Sequence, residues 1–383
     1  MIFLVIVLAV LALIHGYVGL RIIPTLGLSM PWSVAIWSLI AILALLSIAG
    51  PLLRFQGIEN RFTDILSWIG YTSLGFFVLM LVVIAARDLG WGIWLGSTKV
   101  AGWVSGFFGR DAAPAAVDPG KRQFVITAMN LGLLSLTGGY TAYGFFQARR
   151  RPEVIEVNVP IKNLPPALAG LRIVQISDIH VGPTIKKDFV RQVTEQANAL
   201  QPDLVALTGD LVDGSVSYLS NDVTPLAELQ ASLGKYFITG NHEYYSGVEH
   251  WLRETERLGF INLVNEHRQL DINGAGLTIA GVTDLEAGRM LPEHASDVGK
   301  SLSGSPADSI KILLAHQPGN IDEASANGID LQLSGHTHGG QFKPFHLAVK
   351  QAHPYVAGLH NHNGTQIYVN VGTGYWGPPL RIG

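Results

Sequence analysis

The sequence predicts an α/β domain placed behind an all-α domain of four transmembrane helices, and three observations lead there. Charged residues make up 14% of the 383-residue chain, against roughly 25% in an ordinary soluble protein. Only 13 of the 55 Asp, Glu, Lys and Arg residues lie in positions 1–148, together with six of the eight tryptophans, whereas 12 of the 13 histidines fall between His180 and His362. Beyond residue 170, short apolar runs alternate with a segment of helical spacing, the pattern of an α/β fold.

In the front part, Met1–Leu20, Ile22–Leu53, Ile65–Ala86 and Gln123–Ala148 contain no charge. Each can cross a hydrocarbon core of ~30 Å, which needs about 20 helical residues. Pro24 and Pro31 belong to an entry loop, so the expected spans are about 1–20, 32–53, 65–86 and 123–148. The first run has no basic leader and no clear small-residue cleavage site, so it reads as a retained helix. Trp91, Trp94, Trp103, Phe107 and Phe108 suit an interfacial segment between the third and fourth spans. Four spans place both termini on one side with Arg54, Arg61, Arg149, Arg150 and Arg151. Arg21, Arg87, Lys99, Arg110, Lys121 and Arg122 lie on the other, which leaves no charge bias. The Arg149–Arg151 cluster abutting the last span then points to a cytoplasmic rear domain on a bacterial inner membrane. The expected organisation is a transmembrane domain over 1–148, a linker and first strand over 149–170, and the rear domain over 171–383.

The formal net charge of −3 is too small to argue for nucleic acid. The absence of cysteine excludes disulfides, thiolate metal sites and cysteine nucleophiles. In the rear domain, Leu171–Ser177 is an apolar run ending at Asp178, and Lys186–Leu200 has helical spacing, with Phe189, Val190, Val193 and Ala197 on one face. Leu204–Thr208 ends at Gly209-Asp210, and Tyr236–Thr239 at Gly240-Asn241. Ile312–Ala315 ends at His316, and Leu331–Ser334 at Gly335-His336. Polar, metal-binding residue types thus recur where hydrophobic strands end, which is where α/β sheets place their ligands.

Taken together and in order, Asp178-Ile179-His180, Gly209-Asp210, Gly240-Asn241-His242-Glu243, His316 and Gly335-His336-Thr337-His338 resemble the calcineurin-like metallophosphoesterase superfamily. The resemblance covers about Leu171–Val371. It implies a two-sheet α/β/β/α sandwich flanked by helices. It also implies two divalent cations, one on Asp178, His180, Asp210 and His338, the other on Asp210, Asn241, His316 and His336. Carboxylate, imidazole and amide donors without sulfur suit Mn, Fe or Zn. The implied activity is hydrolysis of a phosphomonoester or phosphodiester by a hydroxide bridging the two cations. His242 would stabilise the transition state or protonate the leaving group, and Glu243 would orient His242. The membrane location suggests a lipid-linked substrate and contact with membrane lipid. The rival reading is a metallated but non-catalytic membrane adaptor.

Other residues are left open. Asp213 is either a supporting partner or a turn residue, and Arg381 either contacts substrate phosphate or forms a structural pair. Asp284 could end a further strand near the site, and His346, His353, His360 and His362 read as solvated loop residues. Thr239 and Gly214 stand where phosphoprotein phosphatases of the superfamily carry arginines, which argues against a phosphoprotein substrate. His242 stands where the diacylglucosamine pyrophosphatases usually have Arg. Relatives commonly continue into another strand after Trp-Gly-Pro-Pro-Leu-Arg-Ile-Gly, so the end at Gly383 implies a C-terminal truncation.

Overall fold

The structure, a computed structural model, describes residues 2–108 and 118–382; Met1, Arg110 and Gly383 lie outside them. Two compact units are present, Met1–Leu52 with Ile65–Phe145, and Leu53–Asp64 with Phe146–Gly383.

The first unit is built from α1 (Ile2–Ile22), α2 (Met30–Phe55), α3 (Arg61–Phe107) and α4 (Pro119–Arg149). Leu4–Leu26, Met30–Phe55 and Arg61–Ser105 are long and apolar enough to cross a membrane. The third span and the aromatic segment after it form one continuous helix, α3. Val18 and Ile22 of α1 pack with Phe77, Met80 and Ile84 of α3. Many of the other large apolar side chains, among them Leu13, Leu39, Leu45 and Phe124, are exposed, as expected of helices whose solvent is lipid.

The second unit is an α/β/β/α sandwich. Its first sheet is parallel, ordered β1 (Ile173–Ile176), β2 (Leu204–Thr208), β3 (Lys235–Ile238), β4 (Ile261–Asn262). The second sheet contains β5 (Glu266–Ile272), β6 (Ala275–Gly281), β7 (Ile310–Leu314), β8 (Leu331–Ser334), β9 (Gly358–His362) and β10 (Thr365–Val369), in the order β5-β6-β7-β8-β10-β9. Side chains alternate across a strand, so each sheet has two buried faces. Leu204, Ala206, Tyr236 and Ile238 meet Leu277, Ile279, Ile312, Leu314, Leu331 and Leu333 between the sheets. On the outer face of the first sheet, Val205, Leu207 and Phe237 pack under Val190, Val193 and Ala197 of α5 (Lys187–Ala199) and under Leu219 and Val223 of α6 (Val216–Val223). Ala280, Leu313, Ile367 and Val369 cover the other outer face with Ile321 and Ala324.

One expectation fails in the linker. Residues 149–170 contain no strand, and their regular element is the 3₁₀ turn Pro166–Leu168. Pro152, Pro160, Pro165 and Pro166 have no N–H to give a ladder. The segment instead packs Val159, Ile161 and Leu164 against the core between the sheets.

Candidate metal centre

Five strands of the two sheets end at one place. Asp178 and His180 follow β1, Asp210 follows β2, Asn241 and His242 open the short helix α7 (Asn241–Tyr245) after β3, His316 follows β7, and His336 and His338 follow β8. Asp178, His180, Asp210, His336 and His338 all have positive φ, between 50° and 70°. Such a backbone costs an L-residue roughly 1–2 kcal/mol, and the surrounding contacts must hold it. His336 N donates to both oxygens of Asp178 at 2.9 and 3.1 Å, and His242 N donates to Asp210 Oδ1 at 2.9 Å. Gly240 and Gly335 are glycine because of close approach. A Cβ at Gly240 would overlap the Asp210 carboxylate, and one at Gly335 would overlap Ser177 and the Asp178 carboxylate.

The donor atoms converge in three overlapping groups, Asp178/His180/His338, His180/Asp210/His242 and Asp210/His316/His336, each with its atoms within 4.8 Å of one another. His316 Nδ1 donates to the Thr208 carbonyl at 2.8 Å, and its Nε2 faces Asp210 Oδ2 at 3.1 Å and His336 Nδ1 at 3.2 Å. His180 Nδ1 donates to Asp213 at 3.2 Å, so its Nε2 faces His338 Nε2 at 3.0 Å. His338 Nε2 lies 3.6 Å from Asp178 Oδ1. Asn241 Oδ1 is buried and has no hydrogen-bond partner among the described residues, an otherwise costly state for an amide oxygen. Oxygen and imidazole donors, buried and sharing Asp210, fit divalent cations.

The electrostatics follow from this crowding. Burial raises the carboxyl of Asp178, whereas His316 and then His242 outweigh burial at Asp210 and hold it well below the usual range. Burial opposes protonation of His242, but Asp210 and then Asp213 raise it to about 9. His336 is lowered to about 3 by burial and by His316, and His338 falls well below its ordinary value through burial and His180.

Glu243 sits differently from a reading by adjacency. It does not orient the His242 ring. Its fully buried carboxylate accepts backbone N–H groups from Asp210 at 3.0 Å, Leu211 at 2.8 Å and Gly240 at 2.7 Å. The carboxylate on the ring is that of Asp213, 2.6 Å from His242 Nδ1. Arg381 directs Nη2 to the carbonyls of Val371, Gly372 and Gly374, and Nε to that of Gly374. It thus braces the turn beside Asp178, and burial lowers it to about 10. Asp284 comes after β6, buried, with Gln317 Nε2 at 3.0 and 3.2 Å from its oxygens. His353 reaches the edge of the cluster, its ring centroid 5.1 Å from that of His336, and His360 and His362 lie on β9.

Residues 171–340 match the family model for the calcineurin-like phosphoesterase. The zebrafish (Danio rerio) protein named "Transmembrane protein with metallophosphoesterase domain" is 35% identical over 355 residues, which are 90% of this chain and 78% of that protein. The chain belongs to the calcineurin-like phosphoesterase family. A metallophosphoesterase of Helicobacter pylori is 37% identical over 72% of this chain and 74% of its own length. One from Bacillus subtilis is 31% identical over 68% of this chain and 93% of its own. Membership of this metallophosphoesterase family makes the chain a divalent-metal phosphoester hydrolase, and its apolar helices associate it with a membrane.

Proposed function

We propose that the chain is a multi-pass membrane enzyme that hydrolyses phosphomonoesters or phosphodiesters with a lipid-linked leaving group. One cation would be held by Asp178, His180, Asp210 and His338, and the other by Asp210, Asn241, His316 and His336. The observation supporting this most strongly is the convergence of three donor groups, the first two joined by His180 and the last two by Asp210. Manganese, iron or zinc bound there supplies Lewis acidity to the phosphoryl oxygens and to the attacking water.

The remaining work falls to the chain's own side chains. Asp213 holds Nδ1 of His242, so Nε2 is the atom free to give a proton to the departing oxygen. Glu243 fixes the backbone that presents Asp210. Arg381 holds the 371–374 turn. Trp376 and Tyr245, 52% and 62% exposed, stand with ring centroids 5.5 and 5.3 Å from that of His242. Exposed aromatic faces beside His242 offer apolar contact area to a lipid-linked leaving group. The arginines at Arg149–Arg151 support a cytoplasmic site on a bacterial inner membrane.

Purified full-length protein should turn over an aryl phosphodiester or monoester only with added manganese. Asp210→Asn should lower that rate at least ~10³-fold, and phospholipid esters in vesicles should compete with the aryl substrate. A fully metallated protein inactive on a panel of both ester types would overturn the enzymatic reading in favour of the adaptor.

A further inference from the structure

The segment Leu53–Asp64, from the end of α2 through the turn into the start of α3, packs as part of the same compact unit as the metal centre. Arg54, Glu59 and Asp64 in it are not solvated loop charges. The side chains of Arg54 and Glu59 are each 8% exposed, and they pair with one another at 3.2 Å. Arg54 also pairs with Asp64, which accepts from Tyr218 at 2.9 Å and meets Lys186 at 3.1 Å. Buried charges keep their geometry, because a lost partner leaves the other charge uncompensated.

This cluster grips one particular piece of backbone. Arg54 Nη1 donates to the Asp213 carbonyl at 3.3 Å, and Ser215 N donates to the two oxygens of Glu59 at 3.1 Å each. The Ser215 hydroxyl also donates to Glu59. Between them, Gly214 has no room for a side chain, since a Cβ would overlap Glu59 and lie 3.0 Å from Arg54 Nη1. On the other flank, Asp213 N donates to the Val181 carbonyl at 2.8 Å. Asp213 is therefore held on both sides. Its Oδ1 in turn receives His242 Nδ1 at 2.6 Å and His180 Nδ1 at 3.2 Å.

We infer that Arg54 and Glu59 are positioning residues for His242, acting through the backbone of Asp213–Ser215. The inference rests on the reading of His242 as proton donor. Neither residue touches substrate; together they fix where the Asp213 carboxylate stands, and that carboxylate fixes the ring. A displacement of about 1 Å in a catalytic group can cost on the order of 10²-fold in rate, so this turn can govern turnover without lying in the site.

The test is a double-mutant cycle in the full-length, metal-loaded protein, combining Glu59→Gln with His242→Ala, with Arg54→Lys as a second entry to the same contact. Glu59→Gln alone should lower kcat about tenfold or more on an ester with a poor leaving group. KM and metal content should stay unchanged, and the loss on a p-nitrophenyl ester should be smaller. In the His242→Ala background the same substitution should cost far less, only what the Asp213–His180 contact contributes. Independently of activity, amide exchange across residues 212–216 should quicken in Glu59→Gln protein measured without added metal, because Ser215 N loses an acceptor.

Losses that multiply in the double mutant, or a wild-type kcat in both Glu59→Gln and Arg54→Lys, would overturn the inference. If Glu59→Gln does not fold, Arg54→Lys decides it by the same cycle. If the wild-type protein hydrolyses no phosphoester, the functional reading has failed, and the exchange result still tells whether Glu59 holds this backbone.

Discussion

Glu243 separates a structural role from a chemical one. Its carboxylate is fully buried and accepts three backbone N–H groups, from Asp210, Leu211 and Gly240. Burial and the charge of Asp210 raise it to about 8, against the pull of those donors. Glu243→Ala leaves all three N–H groups buried without an acceptor, at roughly 1–3 kcal/mol each. The sum, about 3–9 kcal/mol, rivals the whole stability of an ordinary domain, roughly 5–15 kcal/mol, so this variant should fail to accumulate as folded protein. Glu243→Gln is milder. The amide oxygen can keep Asp210 N and Gly240 N, which share Oε2, while the amide nitrogen must face Leu211 N. One lost acceptor is worth about 1–3 kcal/mol. For a domain of this size that lowers the melting temperature by about 2–12 °C. The assay is thermal unfolding of detergent-solubilised protein followed by near-ultraviolet circular dichroism, with Trp251 as a buried reporter whose indole N–H bonds the Gly214 carbonyl. Turnover of the surviving folded fraction should stay within about tenfold of wild type. A Gln variant that melts like wild type yet loses activity by ~10³ would put Glu243 in the chemistry and refute the clasp.

Two further outcomes follow from the same geometry. His242→Ala should retain metal and lose about 10²–10⁴ in kcat/KM on substrates with poor leaving groups, with a smaller loss on p-nitrophenyl esters; equal losses on both would remove the proton-donor role. Gly335→Ala pushes a methyl into the Asp178 carboxylate, so metal content measured by plasma mass spectrometry should fall together with activity, and full metal occupancy would contradict the close-approach argument.

The strand ends were legible because each couples an apolar run to a polar residue type with few other uses there. Leu204–Thr208, Lys235–Ile238, Ile310–Leu314 and Leu331–Ser334 lie within two residues of their expected bounds. The outer strands of the second sheet were not legible. β5 reads Glu-His-Arg-Gln-Leu-Asp-Ile and β9 reads Gly-Leu-His-Asn-His, edge strands whose polar residues dilute the alternation that marks a strand. The orienting carboxylate was misplaced for a geometric reason. Glu243 follows His242 directly on a helix, and neighbours in sequence do not face each other there. Asp213 comes from a different loop, 29 residues away. Arg54 and Glu59 left no local signal, because their partners lie about 160 residues further on.

The glycines of the motif and the left-handed backbone of its polar residues are two sides of one constraint. Asp178 and Asp210 leave adjacent parallel strands with φ of 53° and 52°, tied across by Asp178 N to Gly209 O at 3.0 Å and His180 N to Asp210 O at 3.1 Å. Those turns bring both carboxylates to the end of the sheet, where the chain leaving β3 and β8 must pass against them. Passage is possible only without a Cβ, hence Gly240 and Gly335. The amides just beyond, His242 N and His336 N, then donate to the two carboxylates. Each strand end therefore stabilises its neighbour's unfavourable backbone, and the spacing Asp-x-His, Gly-Asp, Gly-Asn-His, Gly-His-x-His is what that mutual support requires. A site assembled this way tolerates exchange of a donor for another donor better than any added atom at the glycines. Its left-handed residues also hold their conformation only while all four strand ends are in place.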